Sequence, residues 1–123
     1  MWVKLPDTLV IFLVRKVIIS SSGGVAIKYP SYLGIYTPSD KTYNGKPVYK
    51  HSSSGVYLFL NSLNDWVIYH QLNQKNAEVW ADESKDIPTR KGWEYRDHGK
   101  VESDPTMKVE IGKLLLIKKR LCI

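Results

Sequence analysis

The stretch Val56-Tyr57-Leu58-Phe59-Leu60, then Asn61-Ser62-Leu63-Asn64-Asp65, then Trp66-Val67-Ile68-Tyr69, decides the class of fold. Successive side chains of an extended chain point to opposite faces. Val56, Leu58 and Leu60 therefore share one face, with Tyr57 and Phe59 on the other. Trp66, Ile68, His70 and Leu72 alternate in the same way with Val67, Tyr69 and Gln71. The intervening Asn, Ser and Asp residues favour a tight turn, because their side chains bond to nearby backbone. Two period-2 segments around such a turn make a β-hairpin.

Working outward, the same period recurs. Ala77, Val79 and Ala81 oppose Glu78, Trp80 and Asp82; Trp93, Tyr95 and Asp97 oppose Glu94, Arg96 and His98; Met107, Val109 and Ile111 oppose Lys108 and Glu110. The β-branched and aromatic content agrees with strands. Asn44-Gly45 is a strong hairpin signal, since both residues tolerate positive φ. Ser52-Ser53-Ser54-Gly55 reads as another turn, and residues 82–92 (with Pro88) and 97–105 read as longer polar loops. Helical periodicity is absent until the C-terminus. There Met107, Ile111, Leu114 and Leu121 could face one way, but Gly112 and the apolar run 114–117 fit a strand. The expected fold is mostly β: one small antiparallel meander, an open sheet or partly closed barrel, with flanking terminal strands.

A chain of 123 residues fits one domain, able to bury a core without metal or disulfide staples. Its 43% hydrophobic and 24% charged residues are ordinary for a globular protein and exclude wholesale disorder or a collagen-like repeat. The lone Cys122 cannot form an intrachain disulfide. A net charge of +6 suggests anionic partners, but it is unevenly placed. Residues 1–28 hold four cations and one acid (+3), 29–110 hold ten cations and eleven acids (−1), and 111–123 hold four cations and no acid (+4). Every aromatic residue except Trp2 and Phe12 lies between 29 and 95. The chain thus divides into an apolar-basic segment (1–32, a strand and a Gly/Ser loop), an aromatic-rich β-module (33–109) and a basic-apolar segment (110–123).

A resemblance rests on Gly34-Ile35-Tyr36-Thr37-Pro38, Tyr43-Asn44-Gly45-Lys46-Pro47-Val48-Tyr49-Lys50, Tyr57-Leu58, Trp66-Val67-Ile68, Trp80, Pro88 and Gly92-Trp93-Glu94-Tyr95. These residues, within about 33–109, resemble a small β-module that recurs in large multidomain proteins of marine invertebrates, algae and other protists. The resemblance implies a compact β-meander used as a building block, and it brings no catalytic residue with it.

Catalytic and metal-binding patterns are weak. His51, His70 and His98 are widely spaced, so no local zinc pattern exists, and a structural or exposed role is favoured for each. Asp82, Ser84 and Asp86 match the first positions of a calcium loop, but Ile87 and Trp93 stand where Gly and Glu are required. His51 beside Ser52, Ser53 and Ser54 reads as a turn, because adjacent strand residues face apart. The acids Asp82, Glu83, Asp86, Glu94 and Asp97 sit in polar surroundings that shift pKa values little. Gly23-Gly24 lacks the lysine and hydroxyl of a phosphate loop. No catalytic residue, metal or cofactor is expected.

Aromatic enrichment without catalytic groups points to a non-enzymatic recognition or assembly module. Tyr49, Tyr57, Tyr69 and Trp93 are the expected ligand-binding face for a glycan or partner protein, although core packing is the competing reading for Trp66, Trp80 and Trp93 individually. Lys46, Lys50, Arg90, Lys91 and Arg96 surround these rings, yet acids match them in number, so nucleic acid is less favoured. The alternative is a basic-tailed binder of nucleic acid or anionic surfaces through Lys118, Lys119 and Arg120, or a structural subunit that pairs terminal strands with another copy; the favoured reading of 113–123 itself is a terminal strand paired with residues 9–19, whose charges protect an edge. The run 9–14 could pass for a short signal h-region or anchor, but Arg15 and Lys16 interrupt it and a strand is favoured. No stretch reaches the ~20 apolar residues of a membrane span. The compartment stays open, extracellular or cytoplasmic.

Overall fold

The computed structural model describes residues 8–72, 77–81, 88, 91–112 and 115–121, and for 8–14 and 115–121 the backbone alone. Its strands are β1 (Thr8–Val14), β2 (Val17–Ser20), β3 (Gly34–Tyr43), β4 (Lys46–His51), β5 (Tyr57–Leu60), β6 (Trp66–Tyr69), β7 (Val79–Ala81), β8 (Trp93–Asp97), β9 (Lys100–Ser103), β10 (Lys108–Ile111) and β11 (Leu115–Leu121). A short helix α1 (Gly24–Lys28) and a 3-10 turn (Pro30–Tyr32) separate β2 from β3. The protein is mostly β, as its alternation implies.

Nine antiparallel strands form one curled half-barrel in the order β10-β2-β3-β4-β5-β6-β7-β8-β9. From β2 to β9 every strand pairs with its successor in the chain, which is a pure meander. The two edges, β9 and β10, are also consecutive: five Cα steps of at most ~3.6 Å keep Ser103 and Lys108 within ~18 Å. β1 and β11 form a separate antiparallel ribbon, with Thr8 opposite Leu121 and Val14 opposite Leu115. A bond from Gly112 N–H to Lys16 O (2.6 Å) links the ribbon to the β2–β10 pair.

Alternation sorts the side chains of the curled sheet into two clusters. The concave side buries Val17, Ile19, Tyr36, Tyr49, Leu58, Leu60, Trp66, Ile68, Val79, Ala81, Trp93 and Val109. Each large ring buried there removes roughly 150–250 Å² from water, a gross gain of about 4–6 kcal/mol before entropy. The convex side carries a smaller cluster of Val48, Phe59, Val67 and Ala77, flanked by the half-buried Tyr43, Tyr57, Tyr69, Leu72 and Trp80. The central strands are thus apolar on both faces.

α1 crosses the concave side from β2 to β8. It contributes the fully buried Val25, and the turn after it contributes Tyr32, whose hydroxyl donates to Glu78 (2.9 Å). Tyr29 donates to Arg96 O (2.7 Å) and Lys28 lies 3.5 Å from Asp97. Asp104, buried in the link between β9 and β10, ties the two sides together. Its carboxylate accepts from Ser21 Oγ (2.6 Å), Val25 N–H (3.0 Å), Thr106 N–H (2.9 Å) and Thr106 Oγ1 (2.6 Å). Burial alone would raise the Asp104 pKa, but these donors outweigh it and hold the carboxyl below its usual range.

Three sequence expectations change. Residues 97–105 are no continuous loop: His98 and Gly99, at φ 49° and 79°, make a tight turn that launches strand β9. The Gly/Ser loop ends in α1, a helix too short to show a period. The division at residue 32 cuts through one packed unit, because Val17, Ile19 and Val25 share the core with Trp66 and Trp93.

Candidate functional site

The convex face is the surface where exposed aromatic area and polar groups meet. Register lays Thr37, Lys50, Tyr57 and Tyr69 in one row across β3 to β6. A second row runs through Phe59, Val67, Trp80, Glu94 and Ser103 across β5 to β9. Phe59 and Val67 are fully buried floor, while Tyr57, Tyr69 and Trp80 stand half-exposed around them.

Local irregularities aim cations at these rings. The β3–β4 register shifts between Pro38 and Thr42. Ser39 holds this bulge by donating to Val48 O (2.7 Å) and accepting from Lys41 N–H (3.1 Å). Bulges re-aim side chains, and here Lys41 Nζ stands 5.8 Å from the Tyr57 ring centre. Arg96, on β8, places its guanidinium 5.3 Å from the Trp80 ring and donates from Nε to Ala77 O (3.4 Å). Both distances fall within cation–π range. Tyr43 meets Phe59 edge-on at 5.6 Å.

Beside Trp80 lies a cleft of about 210 Å³, lined by Leu63, Asp65, Val67, Trp80 and Arg96 among others. Its rim is the β5–β6 turn. Asn61 Oδ1 accepts from Leu63 N–H (3.0 Å) and Asp65 N–H (2.9 Å), and Asn64 adopts φ 63°. Asn44, from the neighbouring β3–β4 turn, donates through Nδ2 to Asn61 O (2.8 Å) and Asn64 Oδ1 (3.0 Å). Two turns are thereby stitched into one rigid margin. Hydrogen-bonded turn backbone, an aromatic plane, a carboxylate and a guanidinium converge on a space large enough for one ring-sized group. No family model, no curated protein and no solved structure matches the chain.

The structure divides the four aromatic residues expected to form one binding face. Tyr57 and Tyr69 are on the convex face and directly opposite each other. Tyr49 and Trp93 are not: they are 6% and 2% exposed on the concave side, where Tyr49 packs against Trp66 at 6.2 Å. Burial also raises the Tyr49 pKa. Tyr49 has apolar Val48 beside it, buried in the opposite cluster, so alternation gave no side for this strand. Trp80, weighed in sequence as core, replaces Trp93 at the surface. Its signal was its alternation with Val79 and Ala81.

The remaining candidates resolve individually. His51 is a turn cap: Nδ1 accepts from the N–H groups of Ser53 (3.0 Å) and Ser54 (2.9 Å), and Nε2 lies 2.6 Å from Leu33 O. Both ring nitrogens are therefore engaged with backbone, as the turn reading implies. His70 is exposed against Tyr69 and His98 is exposed in the β8–β9 turn. Among the described residues no three His, Cys, Asp or Glu side chains are placed to hold a metal. Lys118, Lys119 and Arg120 fall in β11, opposite Ile11, Val10 and Leu9 of β1. Cys122 and the calcium-like 82–87 lie outside the described residues. No described helix is long and apolar enough to cross a membrane.

Proposed function

We propose that this chain is a non-enzymatic recognition module that binds a glycan on the convex face. Trp80 is the stacking plane, Arg96 and Asp65 are the polar rim, and Tyr57 and Tyr69 extend the platform. The observation that carries this reading is the cleft of about 210 Å³ beside Trp80, bordered by a carboxylate and a guanidinium. Sugars present an apolar C–H face together with hydroxyls that both donate and accept. An aromatic plane beside mixed polar groups suits both halves. The cleft is smaller than the roughly 300–1,000 Å³ of drug-sized sites, which favours a single sugar residue at its centre.

Glycan-array screening followed by titration tests this. Trp80→Ala is expected to weaken binding about tenfold, or ~1.4 kcal/mol. Tyr49→Phe, on the concave side, is expected to leave affinity unchanged. An array on which the wild type binds nothing sinks the glycan reading, as does equal binding by Trp80→Ala.

One observation favours a second reading. Lys41 over Tyr57, Lys50 in register with Tyr57, and Arg96 over Trp80 interleave cations with rings. Single-stranded nucleic acid is bound by such surfaces, with bases stacked on rings and phosphates near cations. That ligand would dissociate steeply as salt rises, whereas a neutral glycan would not.

A further inference from the structure

The β1–β11 ribbon has a property that the curled sheet lacks. Its strands form a sheet of two, so among the described residues β1 has one edge paired with β11 and the other unpaired. A two-stranded ribbon is marginal in water, and an unpaired edge is a template for a further strand. β1 reads Thr8-Leu9-Val10-Ile11-Phe12-Leu13-Val14. Both of its alternating sets, Leu9/Ile11/Leu13 and Val10/Phe12/Val14, are apolar, a composition that belongs to strands covered on both sides.

The two edges of the ribbon differ in charge. β11 carries Lys118, Lys119 and Arg120 in sequence, and β1 carries no charged residue. Extending the sheet from β11 with a second β11 would bring like charges together. Extending it from β1 meets no such cost. An antiparallel two-fold pairing centred on Ile11 places Thr8 opposite Val14, Leu9 opposite Leu13, Val10 opposite Phe12 and Ile11 opposite itself. All seven residues of β1 then find partners. The resulting four-stranded sheet has the cationic β11 strands at its rims, where charge discourages further strand addition. The assembly closes at two copies.

We propose that the free edge of β1 binds a second copy of this chain through antiparallel β1–β1 pairing about a two-fold axis at Ile11. Isologous contacts of this kind are the commonest basis of homodimers. The pairing is independent of the convex-face ligand, and it would present two such faces on one particle.

Two measurements on the full chain test it. Sedimentation at micromolar concentration is expected to show twice the chain mass, falling to one chain mass in Ile11→Lys, which sets two ammonium groups against each other at the axis. Circular dichroism of the same sample reports whether the curled sheet has survived. The second measurement does not depend on that variant folding. In a Cys122→Ser background, Ile11→Cys is expected to oxidise to a covalent dimer, because residues facing across the axis have Cα atoms about 4.5–5.5 Å apart, within disulfide reach. Leu9→Cys, which faces Leu13, is expected to stay uncrosslinked. A monomeric wild type overturns the proposal. So does equal crosslinking at positions 9 and 11, or a chain that sediments with lipid vesicles and never with itself.

Discussion

Asp104 shows how one side chain fixes the geometry of the half-barrel. It lies in the link between the two sheet edges and accepts four hydrogen bonds, from Ser21, Val25 and Thr106. Its folded-state pKa is depressed, so its contribution to stability is present above the unfolded value of about 3.9 and is lost as pH falls through the folded value. Wild-type stability in urea is expected to drop below about pH 4, and Asp104→Asn is expected to flatten that dependence. At neutral pH the same substitution should cost about 1–3 kcal/mol, because it weakens charge-assisted bonds in a buried place. A wild type and variant with parallel pH profiles would show that the carboxylate is not the responsible group. Nothing in the sequence marks the long-range role of Asp104, because Ser21 and Val25 lie 83 and 79 positions away in the chain and only Thr106 is a near neighbour. Tyr57 and Tyr69 were legible as surface residues, since each alternates with aliphatic neighbours. Trp93 was misplaced because ring content says nothing about side; its polar neighbours Glu94 and Arg96 already marked the buried face.

At the level of elements, the strands that bury at least one face were readable and those that bury neither were not. β8 and β10 alternate apolar with polar residues, whereas β5 and β6 are apolar on both faces and were legible from their aromatic and β-branched content and the turn between them. β9 is exposed along its whole length, so no alternation exists to find, and only the following structure reveals His98-Gly99 as its turn. α1 was invisible for a different reason: five residues complete little more than one turn of helix. Asn44-Gly45 was legible because its chemistry is local, and both residues adopt positive φ. A Cβ added at Gly45 would meet nothing within 4 Å, so the cost of Gly45→Ala is conformational alone. About 1–2 kcal/mol is expected for a non-glycine residue at φ +74°, measurable as a lowered denaturation midpoint with an unchanged slope. A change in slope would mean instead that the hairpin has come apart.

For the molecule as a whole, the meander and the pairing of the C-terminal strand with residues 9–19 were legible, and the latter is β1–β11; the return of β10 to β2 was not. Sequence neighbours pair through short turns, which local chemistry announces. The return of β10 to β2 joins opposite ends of the chain, and packing around Val17, Ile19, Met107 and Val109 holds it. Net charge misled at this scale too, because the +6 of the chain conceals a convex face where cations sit over particular rings. The same closure sets how the fold answers a mechanical load. Thr8 and Leu121 are cross-strand partners at one end of the ribbon. Tension applied to these two residues meets the ladder at right angles to its strands and strains one pair at a time, like a zipper. β1–β11 should peel at low force, before load reaches β2–β10, whose Val17, Ile19 and Val109 sit in the tyrosine- and tryptophan-lined interior. Optical-trap records should show this early, small extension ahead of a single larger rupture; one abrupt event from the fully closed state would mean that the ribbon and barrel yield together.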